Sequence, residues 1–401
     1  MTPYTYLIVG GGMTAAAAAR GIRRVDPDGS IGIVGSEQAP AYKRPPLSKG
    51  LWKGEPEDSI WLDLDNLNVA LHRGREITQI DRQAKQVIDD QDAVYRYDRL
   101  LLATGSRPRR LSSTVDERII YYRTIDDYHR LRALSEQGQR FAVIGGGFIG
   151  SEVAAALTMN AKDVVLIFPG DGIGSRLFPA ELSQFLNGYY REHGVQVLAG
   201  ARVSDLEASP GQIVVRTRGA TGAEEREIVV DGVVVGIGVR PNVELAEAAG
   251  LEVANGILVD TLLRSSDPAI YAAGDVASFY NSALNLRLRV EHEDNANVMG
   301  RRAGRNMAGE SKPYDYLPFF YSDLFDLGYE AVGELDARLE TVVDWKEPNR
   351  EGVIYYLREG RVRGVLLWNV WDQVKAARRL IAAPGPVRPE ELHGRLPAEP
   401  A

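Results

Sequence analysis

The 401-residue chain contains no cysteine. That excludes a disulfide, a thiolate nucleophile, a cysteine-ligated zinc and a cysteine-held iron–sulfur cluster. Histidine is scarce too; the five present are scattered and make no metal-ligand spacing, so no metal site is expected. There is no excess of basic charge. Lys and Arg number 47 against 55 Asp and Glu, a net charge of -8, which argues against a specific nucleic-acid binder. No run approaches the roughly 20 apolar residues of a membrane span. No basic region precedes the first apolar run, which ends in glycines and so reads as a strand, not a secretion signal. The expectation is a cytoplasmic protein. A composition of 44% hydrophobic and 25% charged residues is that of an ordinary globular chain, long enough for two or three domains.

What is present is a pattern that occurs twice. Residues 6–20 (YLIVGGGMTAAAAAR) are an apolar run, a glycine cluster and an alanine-rich helix; residues 141–157 (FAVIGGGFIGSEVAAAL) repeat it. A second apolar strand follows each, at 30–35 and at 163–168. Each copy spells the strand–turn–helix–strand unit that binds a dinucleotide. The first glycine permits the tight turn, the second lets a pyrophosphate approach the backbone, and the third position must be small so that helix and strand can pack. Free N–H groups and the helix dipole then hold the anion. These positions are Gly10, Gly12 and Ala15 in the first copy, and Gly145, Gly147 and Gly150 in the second.

The residues after the second strands differ. Glu37 lies 22 residues past Ala15 and suits a carboxylate that bonds a ribose 2′-hydroxyl. In the second copy the expected position holds Gly170, with Asp171 one place late and Arg176 nearby. An arginine can accommodate a 2′-phosphate, so NADH and NADPH both stay open.

Further strands end in glycine at 100–108 (LLLATGSRP), 233–242 (VVVGIGVRPN) and 270–275 (IYAAGD). They give one dinucleotide domain interrupted by another, 1–110 with 240–312 around 111–239. A third region, 313–401, shows strands near 330–333, 339–343, 352–357 and 361–368, then a helix over 372–381. Its apolar–polar alternation suits a half-buried antiparallel sheet. The proline-rich end, 383–401, reads as a loosely ordered tail. The fold class is α/β, with two Rossmann-like domains and a C-terminal α+β domain. Tyr121, Tyr122, Trp368 and Trp371 read as core or interface aromatics. The arginines 287, 289, 301, 302 and 305 read equally as a solvated face, a dimer surface or a docking patch for an acidic partner.

Together these motifs resemble the FAD-dependent pyridine-nucleotide oxidoreductases with paired Rossmann domains of the glutathione-reductase type. The chain is similar to the apoptosis-inducing-factor branch and, next, to the putidaredoxin and ferredoxin reductases of oxygenase systems. The stretches that carry the resemblance are 42–52 (YKRPPLSKGLW), 290–294 (VEHED), 300–309 (GRRAGRNMAG), 321–324 (YSDL), 328–333 (GYEAVG) and 364–369 (GVLLWN). The long insertion of the mitochondrial members is missing, and no targeting segment precedes the first strand, so a bacterial-type member is implied.

The resemblance implies roles residue by residue. Gly10, Gly12, Ala15 and Glu37 would hold the ADP half of FAD; Arg44 and Lys49 would face the flavin, and the Ile77 backbone the adenine. Thr104, Gly105 and Arg123 would line the FAD channel, and Asp275 would bind the ribityl chain. Gly146, Gly147, Phe148 and Ile149 would contact the nicotinamide nucleotide, with Gly238, Glu291 and His292 completing that side. Glu152 would pair with Lys49 beside the isoalloxazine. Tyr321 stands where the family usually has tryptophan, which keeps an aromatic face but reduces its stacking area.

The implied activity is hydride transfer from NADH to flavin N5, with a charge-transfer complex or onward electron delivery. Missing cysteine removes the dithiol-relay and single-cysteine members, leaving a ferredoxin, a quinone or oxygen as acceptor. A different class stays open beside it: an NADH-gated interaction module whose homodimerisation follows its redox state.

Overall fold

A computed structural model describes residues 2–111, 114–219 and 225–397. The chain divides into two compact units. One comprises Met1–Arg44, Glu57–Arg107 and Arg240–Pro318; the other comprises Pro45–Pro56, Pro108–Val239 and Phe319–Ala401.

In the first unit the strand Thr2–Val9 pairs in parallel with Ile31–Gly35 on one side and Val94–Leu102 on the other. Val69–Arg73 extends the sheet beyond Ile31–Gly35, and Ile270–Ala272 lies in parallel against the end of Val94–Leu102. An antiparallel meander, Ile77–Asp81 and Gln86–Asp89, pairs with the start of that same long strand. Strands buried on both faces read as continuous apolar runs, which is why Ile8, Leu100, Leu101 and Ile270 are fully enclosed.

The alanines of the first helix, Met13–Arg23, have a packing cause. A Cβ added to Gly300 or Gly304 of the helix Glu293–Met307 would stand 2.5 and 2.1 Å from the Thr14 and Ala18 carbonyl oxygens. One added to Gly21 would stand 2.3 Å from that of Arg301. Only small residues let two helix backbones come this close.

In the second unit a five-stranded parallel sheet runs Gln196–Ala199, Asp163–Phe168, Arg140–Ile144, Gly232–Val235, Ile119–Tyr121. The order matches the first unit, except that the last strand comes from earlier in the chain. Its meander is Arg202–Ser209, Gln212–Arg218 and Glu225–Val230.

The C-terminal sheet is antiparallel, in the order Phe319–Leu324, Leu327–Gly333, Arg361–Trp368, Glu351–Arg358, Glu340–Glu347. The half-buried sheet expected from the alternation is not what forms. Tyr355, Tyr356, Leu366, Leu367 and Trp368 are all enclosed, so the two central strands are covered on both faces. The helix Val374–Ala382 packs on one face. On the other, Phe178 sets its ring against Tyr329 and Trp368, and the Tyr356 hydroxyl donates to the Leu177 carbonyl.

The segment Pro45–Pro56 belongs to this second unit although it follows strands of the first. Trp52 Nε1 and the Tyr122 hydroxyl both donate to the Leu47 carbonyl, and Asn160 Nδ2 donates to that of Trp52. The tail was expected to be loose, yet Leu392 and Leu396 are buried and the Gly394 N–H donates to Asp344 Oδ2. Residues 398–401 of that expected tail lie outside the described residues. Among the described residues no helix is long and apolar enough to cross a membrane.

Candidate active site

The two glycine turns are built alike. Gly10 (φ +116°) and Gly145 (φ +120°) adopt a backbone conformation that side chains disfavour. A Cβ on either would stand 2.1 Å from the Ala103 oxygen or 2.3 Å from the Gly236 oxygen. Gly12 and Gly147 are the helix N-caps and neither caps with a side chain. A Cβ there would meet nothing within 4 Å. Space is therefore open at each helix N-terminus, the arrangement an anionic pyrophosphate needs. An ordinary helix of the same chain contrasts: Ile125–Gln137 closes its N-terminus with a Thr124–Asp127 capping box. Ala15 fits its place, whereas a Cβ on Gly150 would come within 1.8 Å of the Gly145 oxygen, so the second turn is the tighter.

In the first unit a shallow pocket opens beside the turn, lined among others by Gly11, Gly35, Glu37, Ala41 and His72. Its apolar walls with one carboxylate suit an adenosine. Glu37 is held there by Arg44 (2.5 Å) and the Tyr42 hydroxyl (2.6 Å). Arg44 is pushed down by burial, but the Tyr42 and Glu37 charges outweigh that and raise it. The Ile77 side chain is buried in the core, and its strand starts the meander. Thr104 Oγ1 donates to the Asn242 carbonyl, Gly105 (φ +67°) accepts from the Asn242 N–H, and the Ser106 hydroxyl donates to buried Asp275 at 2.7 Å. Glu291 pairs with Arg289 at 2.6 Å, and His292 is the N-cap of Glu293–Met307. The arginines read as a cluster are mostly engaged: Arg287 donates to the Val259 and Ser278 carbonyls, and Arg302 and Arg305 hold Glu310.

In the second unit Glu152 projects from the second turn of Phe148–Met159. Its side chain is 3% exposed and it meets Lys49, 12% exposed, at 2.7 Å. The Ser48 and Ser322 hydroxyls complete it, at 2.5 and 2.6 Å. A buried carboxylate needs this saturation, because an unpaired one is costly to hold. Burial, then the Glu152 charge, pushes the Tyr190 and Tyr329 hydroxyls well above their usual range. The Lys49 ammonium also stands 5.4 Å over the half-open Tyr321 ring. Phe148 packs edge-on against Phe320, with exposed Ile149 next to it.

Gly146 faces Phe168, and Gly238 (φ +94°) lies exposed near Arg109. The Arg123 N–H donates to Asp127. Asp171 and Arg176 are exposed, and the Asp171 carbonyl accepts from Asn187. Ser48, Ser322, Tyr42 and Ser106 were given no role from the sequence. All four lie inside stretches given above, the first two beside Lys49 and Tyr321, and that neighbourhood is the signal that could have marked them. Among the described residues no group of three His, Asp or Glu is placed to hold a metal ion.

Comparison with known proteins matches residues 4–300 to the family described as "Pyridine nucleotide-disulphide oxidoreductase". Residues 303–351 and 343–383 match "Apoptosis-inducing factor, mitochondrion-associated, C-term". The anthranilate 1,2-dioxygenase system ferredoxin–NAD(+) reductase component of Burkholderia cepacia is 36% identical over 98% of this chain and 97% of that one. Apoptosis-inducing factor 1 of Dictyostelium discoideum is 34% identical over 94% and 78%. The crystal structure of the covalent putidaredoxin reductase–putidaredoxin complex superposes with a TM-score of 0.90 at 31% identity, over 98% of this chain and 96% of that one.

Proposed function

The chain belongs to the pyridine nucleotide-disulphide oxidoreductase family, and on that premise we propose that it delivers electrons from NAD(P)H, through FAD, to a small iron–sulfur protein. The FAD-dependent NAD(P)H oxidoreductase activity goes with the family. The absence of cysteine in a member of a family named for disulphides removes the thiol acceptors and leaves a ferredoxin, a quinone or oxygen; the observation that carries the choice among these is the whole-length likeness to a ferredoxin reductase, 36% identical over 98% of this chain. No thiol can relay electrons, so they leave the cofactor directly. The Burkholderia relative, named as a ferredoxin–NAD(+) reductase component, supports this reading.

FAD, when bound, would supply two-electron hydride chemistry and one-electron chemistry. The residues supply the rest. Gly10, Gly12 and Ala15 would receive the FAD pyrophosphate at the N-terminus of Met13–Arg23, and Glu37, braced by Arg44 and Tyr42, would take the ribose. Thr104, Gly105 and Asp275 would steady the middle of the cofactor, and the Ile77 backbone would meet its adenine. The 1–110 and 240–312 stretches would form the FAD domain and 111–239 the NAD(P)H domain, followed by the C-terminal domain from 313. In the second unit Gly146, Gly147, Phe148 and Ile149 would orient the nicotinamide nucleotide, with Gly238 beside it. Lys49 would present a cation to the charge that hydride transfer creates. Its partner Glu152 and the two serines fix that cation in place before the reaction, so no reorganisation is required. A pyridine-nucleotide reductant supports the cytoplasmic reading.

The test is NADH-driven reduction of a purified [2Fe–2S] ferredoxin. Two ferredoxins reduced per NADH, at a rate that falls with salt, is the expected result. NADH consumption coupled only to a quinone or to oxygen would contradict it.

A second reading, implied by the resemblance to the apoptosis-inducing-factor branch that the C-terminal match extends, is a redox-gated homodimer. Identical size-exclusion profiles with and without NADH would remove it.

A further inference from the structure

The second nucleotide site differs from the first at one register position, and hydrogen bonds inside each unit fix which residue that is. The Gly10 N–H donates to the Val34 carbonyl, and the Gly145 N–H donates to that of Ile167. The Arg75 N–H donates to the Gly35 carbonyl; the Ala201 N–H donates to that of Phe168. The Gly74 N–H donates to the Glu37 carbonyl at 3.2 Å, and the Gly200 N–H donates to the Gly170 carbonyl at 2.9 Å. Gly170 therefore occupies in the second unit the place of Glu37 in the first. The carboxylate that would bond a ribose 2′-hydroxyl, and repel a phosphate there, is absent from that position, and Asp171 is one place out of register.

Something else fills the space. A Cβ at position 170 would stand 2.5 Å from Ser175 Oγ, so a hydroxyl sits where a side chain of residue 170 would begin. The loop that brings it is pinned, because the Gly174 N–H donates to the Gly146 carbonyl at 2.8 Å. Exposed Arg176 ends this loop, and exposed Arg202 follows Ala201, whose N–H bonds the Phe168 carbonyl. Asp171 is the opposing charge. It is exposed, and its carbonyl is fixed by Asn187 and Gln184.

We propose that the second site accepts a 2′-phosphorylated adenosine, so that the chain takes NADPH about as well as NADH, with Gly170 as the specificity-determining residue. Ser175 donates to the phosphate and Arg176 supplies positive charge. This rests on reading the second turn as the nicotinamide-nucleotide site.

The test is calorimetric titration of the flavin-loaded full chain with ADP-ribose and with 2′-phospho-ADP-ribose, neither of which can transfer a hydride. The expected result is two dissociation constants within about tenfold of each other. Gly170→Glu, whose Cβ needs only a rotation of the Ser175 hydroxyl, should weaken the phosphorylated ligand at least about tenfold relative to ADP-ribose. Arg176→Gln gives a second variant that leaves the turn intact, and should weaken the phosphorylated ligand at least about threefold more than ADP-ribose. Binding of ADP-ribose with the phosphorylated ligand more than about tenfold weaker overturns the proposal alone. Binding of neither overturns the nucleotide-site reading and the proposal with it.

Discussion

In the first unit the chain leaves the strand Ile31–Gly35 and reaches Glu37, which Arg44 and Tyr42 hold; in the second it leaves Asp163–Phe168 and reaches Gly170. One helical turn into the following helices the contrast reverses. Position 17 holds an alanine, which admits the helix Glu293–Met307, with Gly300 close by. The equivalent position, seven residues past the first glycine of the second turn, holds Glu152, which grips Lys49. A shared backbone thus carries its acid after the second strand in one copy and on the helix behind the glycine turn in the other. On the proposed reading the glycine frame sets where a dinucleotide would lie, and single side chains around it would decide which dinucleotide that is.

The shared part of the comparison breaks most severely at the first glycines. Gly10→Ala and Gly145→Ala each force a Cβ against a backbone oxygen at positive φ. Each should cost about 3 kcal/mol or more, read as lost soluble yield and a lowered melting temperature. Gly12→Ala and Gly147→Ala, which meet open space, should cost about 1 kcal/mol or less while weakening nucleotide binding. Equal costs at all four positions would mean the turns are not the matched frames described.

The ion pairs give the next largest contrast. Glu152→Ala removes the acid of a buried pair and strands the Lys49 ammonium, so chemical denaturation should show a loss of about 3–5 kcal/mol. Glu37→Ala breaks a pair whose side chains are 25% and 31% exposed, and should cost about 1 kcal/mol of stability, with the main loss in retained FAD.

An acid titration sharpens the difference further. Burial pushes the Asp89 carboxyl up, but the Ala93 and Gln91 N–H groups, the Tyr95 hydroxyl and Arg75 outweigh it and hold it below its usual 3.8. A depressed carboxyl stabilises the fold above the unfolded value and loses that contribution as pH falls through the folded one. Denaturation midpoints should therefore drop as pH falls below 3.8, and Asp89→Asn should flatten that drop. An unchanged slope in the variant would remove Asp89 from the account.

The smallest effect expected is at Tyr321. Tyr321→Trp enlarges the ring under Lys49 and should strengthen that contact by about 0.5 kcal/mol, seen as a slight rise in nicotinamide-nucleotide affinity.

How much of this could be read from the sequence follows from range. The glycine turns, their strands and their helices are local, and the register of each is set within some thirty residues. Lys49 and Glu152 were paired only through resemblance, because 103 positions separate them. Ser322 reaches Glu152 from a strand 170 positions away, and periodicity carries no trace of such a contact. The seating of Pro45–Pro56 in the second unit was missed for the same reason. The central strands of the C-terminal sheet misled in another way: their alternation suggested one wet face, and tyrosines supplied the apparent polarity while lying buried.

The most direct test of the central claim is an anaerobic titration of the flavin-loaded protein with NADH, following the flavin absorbance. A chain without cysteine has no second place to store electrons, so bleaching should be complete at one NADH per FAD. Uptake of a second equivalent, or no bleaching by either NADH or NADPH, would contradict the account.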